Sequence, residues 1–316
     1  MAPQNITYPT DLKLLNAARK KAEEILDKLY KKSSLKEKPR TYREIARRDF
    51  LNVIKKKGKS YEEIHKANKK QLQFLSRNIG YINLFLEHFN EELPLKQKDL
   101  EYIETIKTVY AQQLSMNENR TRSVENRIVN LHQPYIRPIV RGKDGKKVEF
   151  GSKLHVSLVN GFTLIDKLSW DNFNEGIYLE NSVENYKIRF GFYPKEVLVD
   201  KIYWTRANRE YLKLRKIKIS AKPLGRPTKE SALSNQVSPG ERNPIEGKFG
   251  QAKVGYGMNN IKAKLKTTSE SWIASIVLVL NLVKLTRLAQ LCTYRIYQWI
   301  SCIVYIFIQP RRALSL

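Results

Sequence analysis

The chain has 316 residues, 41% of them hydrophobic, and 58 Lys and Arg against 31 Asp and Glu, a net charge of +27. That length and apolar content exclude wholesale disorder and leave room for one large or two smaller domains. The positive surplus points to a polyanionic partner, nucleic acid first, although a ribosomal or membrane-surface role fits the same field.

The two cysteines, Cys292 and Cys302, stand in an apolar stretch with no Cys-x-x-Cys pair and no nearby His, so neither a disulfide framework nor a zinc site is suggested. A reducing compartment fits that usage. The opening, MAPQNITYPT, shows neither the charged nor the apolar region of a signal peptide.

Residues 1–130 hold 27 basic and 17 acidic residues, mixed along stretches with helical spacing. Pro9-Thr10-Asp11 supplies polar capping groups, and Leu15, Ala18, Ala22, Ile25 and Leu29 follow at three- and four-residue intervals, which predicts a helix over about 11–30. Further helices are predicted around Ile64, Leu75, Ile79, Ile82 and Phe89, and around Ile103, Ile106, Tyr110 and Leu114. This part reads as all-α.

From residue 131 the texture changes. An extended stretch, HQPYIRPIV, precedes an Asp144-Gly145 hairpin signal, and VEFGSKLHVSLVN and FTLIDKLSW read as two strands joined at Asn160-Gly161. A helix over about 175–190 leads to the short apolar strand EVLV, which ends at Asp200. Then come a basic helix near Thr205 to Lys213, a strand KIKIS, a loop from Pro223 to Gly240, and a helix opening at Asn243-Pro244. The order is that of an α/β protein. Three regions are therefore expected: a helical one over 1–130, an α/β core over 131–270, and an apolar helical tail over 271–316. Within the tail, residues 291–308 carry a single charge, Arg295, and are long enough to be weighed as a membrane span. Arg295 and Gln298 near mid-span favour a core or docking helix instead.

His65, His88, His132 and His155 are never spaced as metal ligands, and there is no Gly-x-Ser-x-Gly, Walker or Gly-x-Gly-x-x-Gly motif. What remains is a pair of carboxylates in a basic setting. Asp200 closes a strand and Glu246 opens a helix, an arrangement in which acids can converge on hard cations such as Mg²⁺. Residues 201–270 around them carry 16 basic and 5 acidic residues, suited to a phosphate backbone. Each acid also has a plainer explanation. Asp200 fits an ordinary strand end, and Glu246, third after an Asn243 cap, would complete a capping box. Lys253 lies two helical turns beyond Glu246 on the same face, whereas Arg242 would precede the cap. Gly247 and Gly250 weaken this helix, which makes sense if a backbone or ligand comes close.

These residues carry a resemblance. Arg242-x3-Glu246-x6-Lys253 resembles the end of the Tyr-x2-Arg-x3-Glu-x6-Lys signature of bacterial insertion-sequence transposases of the DDE class, with Pro239 in place of the Tyr. Asp200 in LVDKIY resembles their second acid. YPTDLKLLNAARKKAE, HQPYIRPIVRGK, VEFGSKLHVS, LSWDNFNEG and TSESWI are also similar to sequence of that family, which extends the likeness over about residues 1–285.

The resemblance implies an RNase H-like mixed sheet flanked by helices, with residues 11–130 as a helical insertion. It implies Asp200 and Glu246 as catalytic, metal-binding acids, Arg242 and Lys253 as auxiliary phosphate contacts, and two Mg²⁺ or Mn²⁺ ions in the intact enzyme. DNA, as transposon ends and target, is the implied partner, with a homodimer for synapsis and a cytoplasmic, nucleoid-associated place in a bacterium. In similar transposases the first acid stands just before the segment matching Ala2-Pro3-Gln4. On that reading the first strand and its Asp are expected to be missing, and the chain to be an impaired fragment. The alternative is a non-catalytic DNA-binding remnant that competes with a full-length transposase.

Overall fold

The computed structural model describes residues 1–89, 94–140, 148–220 and 239–308, without the side chains of 239–243 and 305–308. It is a mixed α/β structure in which helices predominate.

After a two-residue strand β1 (Ala2–Pro3), four helices follow: α1 (Asp11–Lys32), α2 (Arg43–Ile54), α3 (Tyr61–Phe89) and α4 (Gln97–Glu118). Thr10 caps α1, its side chain accepting from the Lys13 N–H at 3.4 Å. The predicted stripe of α1, Leu15, Ala18, Ala22, Ile25 and Leu29, is fully buried against Leu75 and Ile82 of α3 and Ile106 and Val109 of α4. Burying each such large aliphatic side chain contributes about 1.5–3 kcal/mol, so the three helices form one core. The sequence reading omitted α2, which buries only Ala46 and starts after Tyr42, a left-handed residue with no capping hydrogen bond.

The strands β2 (Arg137–Val140), β3 (Val148–Val159) and β4 (Phe162–Ser169) pair antiparallel about β3, and β1 joins the same sheet through Ala2↔Ser152 and Pro3↔Gly151. The Asp144-Gly145 turn lies outside the described residues, but the strands either side of it pair with Val140 opposite Val148. Asn160 and Gly161 both take positive φ, 52° and 84°, which matches the twist that a two-residue hairpin turn requires. A Cβ at Gly151 would lie 2.3 Å from the Ala2 carbonyl oxygen, so only glycine lets β1 come so close.

A second, parallel pair is formed by β5 (Glu196–Leu198) and β6 (Lys218–Ser220), packed with α5 (Leu179–Phe190) and α6 (Arg206–Leu214) around Leu179, Val183, Tyr211, Leu212 and Ile217. The loop predicted over 223–240 falls outside the described residues up to 238. Two helices close the chain, α7 (Pro239–Gly255) and α8 (Lys266–Ile308). Ala252 of α7, Met258, Ile261, and Ile273, Ile276, Val277 and Leu280 of α8 form one core with Ala2 and Leu154. The apolar run over 291–308 is the distal part of this 43-residue helix, whose first half is packed in that core.

Candidate active site

Asp200 follows β5 and caps a 3-10 turn, Lys201–Tyr203, with its carboxylate accepting from the Lys201 N–H at 3.0 Å. The side chain is exposed. The turn is fixed from below. The Tyr203 hydroxyl shares a 3.1 Å hydrogen bond with His155 Nε2 of β3, and the two rings stack at 5.9 Å. Asn208 donates to the Tyr203 carbonyl at 2.9 Å and to the Gly176 carbonyl at 2.8 Å. Gly176 sits so close beneath Ile202 that a Cβ would lie 2.7 Å from its carbonyl oxygen. These contacts tie the loop of the parallel pair to the four-stranded sheet.

Burial lowers the pKa of His155, with Lys153 and Lys167 acting the same way and Asp166 and Glu175 opposing; burial also raises the Tyr203 hydroxyl. His155 is thus a buried imidazole that positions the turn through Tyr203. Sequence reasoning treated it only as one scattered histidine. The available signal was a polar ring in the middle of the strand KLHVS, where a buried imidazole needs a partner.

Glu246 lies on α7, and here the structure corrects the reading of the helix start. The helix begins at Pro239, so Pro244 is interior and Glu246 stands two turns in, beyond any capping box. Pro244 mimicked a first-turn proline because Asn243 precedes it like a cap. With α7 extended this way, Arg242 belongs to the helix four residues before Glu246, and Lys253 lies seven after it. At 3.6 residues per turn the three positions fall within about 40° of one another, on one face. The side chain of Arg242 lies outside the described residues; Glu246 is exposed and Lys253 partly so.

The neighbouring face of α7, Ile245, Lys248, Phe249 and Ala252, lines a cleft with Leu154, Val156 and Thr163 of the hairpin and Val277 and Leu280 of α8. No atom lies within 4 Å of a Cβ built at Gly247 or Gly250, so the close approach expected there is not made by the described protein. Burial, with Arg287 and Lys284 nearby, lowers the pKa of Lys248. Three cations therefore gather beside the signature face, and among the described residues none of them forms an ion pair. An arrangement of that kind attracts a phosphate.

Among the described residues no three His, Cys, Asp or Glu side chains gather as a metal site. Asp200 and Glu246 are exposed carboxylates, and hard oxygen donors of this kind fit a divalent cation in chemistry.

A family model described as the transposase DDE domain matches residues 197–283, from β5 and Asp200 through α7 and into the first half of α8. Over those residues the chain is similar to the DDE class of transposases. No curated protein and no solved structure matches the chain. That class acts on DNA and generally uses divalent metal ions.

Proposed function

We propose that the chain is a DNA transposase of insertion-sequence type, with an RNase H-like core in which Asp200 and Glu246 are catalytic acids that hold divalent ions, Mg²⁺ or Mn²⁺. The observation that carries this reading is Glu246: it lies inside the matched domain, on an exposed face shared with Arg242 and Lys253, and has no capping role to explain it. Bound ions of this kind activate an attacking oxygen and stabilise the leaving oxygen at a phosphodiester.

The chain's own residues orient the DNA. Arg242 and Lys253 contact phosphate beside the scissile bond, and the basic stretch from Lys201 to Lys266, with Lys284 and Arg287, holds the backbone. The attacking group is water in end cleavage and a DNA 3′-hydroxyl in strand transfer. A third carboxylate is unassigned on this chain, and two acids alone hold metal weakly. Synapsis of two ends calls for two protomers.

The test is an anisotropy titration of a short duplex with and without Mn²⁺. The expected result is a metal-dependent gain in affinity of about tenfold, or 1.4 kcal/mol, lost in Glu246→Gln and Asp200→Asn while metal-free binding is unchanged. Binding indifferent to metal in all three proteins would favour the second reading, a non-catalytic DNA-binding remnant or competitor of a full-length transposase.

A further inference from the structure

Charge is segregated within the helical unit. Residues 31–70 hold 15 basic and 5 acidic residues, whereas residues 1–30 and 71–130 together hold twelve of each. The whole surplus of the unit therefore lies on α2, the segments either side of it and the start of α3.

Part of that charge is used in the fold. Arg43 pairs with Asp27 at 2.9 Å, Lys38 with the same carboxylate at 2.6 Å, Lys70 with Asp49 at 3.6 Å, and Lys56 with Glu63. With the Gln71 side chain donating to the Ala46 carbonyl at 3.0 Å, these pairs hold α2 against α1 and α3. The rest is left over. Arg47, Arg48, Lys55, Lys57, Lys66 and Lys69 are exposed and, among the described residues, form no ion pair. Arg48, Asn52 and Lys55 follow at four and three residues, one stripe of the helix, and with Arg47 and Leu51 they line an open groove along α2. Six cations on adjoining elements repel one another, a standing cost that a bound polyanion removes.

The character of the face selects among polyanions. A bilayer surface takes a helix with an open apolar side, but on α2 Ala46 is buried, Phe50, Leu51, Val53 and Ile54 are half-buried, and only Ile45 stands open, at 42%. A protein partner meets an apolar, charge-poor centre, and here the centre is the arginine pair. Charge spread evenly along two helices, with no apolar middle, matches a phosphate backbone. Over residues 197–283 the chain is similar to a class that acts on DNA, which makes duplex DNA the phosphate polymer this face would meet.

The face is also separate from the basic stretch of the matched domain. Helix α2 packs on α1 and α3, whose core shares no residue with the cores built by α5 to α8. Its surplus, 15 basic to 5 acidic, nearly equals the 16 to 5 of residues 201–270.

We propose that α2 and the start of α3 form a second DNA-backbone face, so that one chain holds two duplexes, one on the helical unit and one on the matched domain. This rests on the DNA-binding part of the proposed function and is independent of metal and catalysis.

The test is a saturating titration of the full chain with a labelled duplex of one helical turn, roughly 35 Å long, read by sedimentation velocity at low salt without metal. A ratio per chain is unaffected by dimerisation. The expected ratio is two duplexes per chain in the wild type. Arg47→Glu with Arg48→Glu and Lys55→Glu should lower it to one, and so should Lys262→Glu with Lys264→Glu in the matched domain; all five together should abolish binding. Circular dichroism and the unfolding midpoint would show each variant folded. One duplex per chain in the wild type, or two in the α2 variant, overturns the proposal. With the Mn²⁺ response of the Asp200 and Glu246 site retained, that failure leaves the proposed function standing, whereas absence of any DNA binding removes both. Flotation of the wild type with anionic phospholipid vesicles, lost in the α2 variant while its DNA ratio is unchanged, would also overturn the proposal and identify lipid as the occupant.

Discussion

Asp200 has two roles that substitution can separate. Its carboxylate caps the turn by accepting from the Lys201 N–H, and the same group is a proposed metal ligand. Asparagine keeps an acceptor oxygen and removes the charge, whereas alanine removes both. Asp200→Asn is therefore expected to keep the wild-type urea midpoint and lose the metal response; Asp200→Ala is expected to lose about 0.5–2 kcal/mol as well, the usual cost of a missing cap. Equal stability of the two variants would show that the cap contributes nothing.

His155 gives a pH dependence of known sign. Its pKa is lowered in the folded chain, chiefly by burial. Below its ordinary value near 6.5 the unfolded chain therefore takes up a proton before the folded one does. The stabilising contribution is full above that value and is lost as pH falls. Urea unfolding of the wild type should become easier from pH 7.5 to 5.5, and His155→Gln should flatten that dependence. An unchanged slope in the variant would place the titration elsewhere.

At the scale of elements, the helical unit encloses a polar network. Arg19, 2% exposed, donates to Gln71 at 3.2 Å and to Asn16 at 2.9 Å and pairs with Glu23, while Gln71 donates to the Ala46 carbonyl at 3.0 Å. This links α1, α2 and α3. Burial raises the Glu23 carboxyl above its ordinary range, with Arg19 opposing. Arg19→Met would strand that acid, and the expected loss is about 3–5 kcal/mol in chemical denaturation, the usual result of removing one partner of a buried ion pair. Replacing Arg19 and Glu23 together by Met and Gln should recover part of it. Additive losses in the double variant would show that the two residues act independently.

Elements were legible where one period ran long. The α1 stripe was read from five apolar residues, and the β3–β4 hairpin from alternation around Asn160-Gly161. The misses have physical causes. Helix α2 buries only Ala46 fully, and its stripe of Ala46, Phe50, Val53 and Ile54 runs for little more than two turns, too short a period to stand out. Strand β1 has two residues, too few for any pattern, and is fixed by the room that Gly151 leaves. The start of α7 was misplaced because Asn243-Pro244 has the chemistry of a cap and first turn. That error hid the alignment of Arg242 with Glu246 and Lys253. Both proposed acids were legible, but the His155–Tyr203 support was not, because its partners lie 48 residues apart.

For the whole molecule, a charge of +27 makes DNA affinity a matter of salt. If the chain neutralises about six phosphates, log K should fall against log salt with a slope on the order of −5. A flat dependence would exclude the backbone as the main contact. Basic residues are not confined to the matched domain: Arg47 and Arg48 on α2 and Lys55 at its C-terminal end are exposed and, among the described residues, form no ion pair. Charge reversal there should lower affinity by about the same factor for all DNA sequences, since phosphate contacts carry no sequence information.

The central claim is that Asp200 and Glu246, on separate elements, serve one metal site. Iron-mediated affinity cleavage of the full chain tests it without requiring transposition. With Fe²⁺ and peroxide, the expected result is backbone cutting near residue 200 and near residue 246, both suppressed by excess Mg²⁺ and by Glu246→Gln. Cutting confined to one of these segments, or unaffected by that substitution, would contradict a shared site.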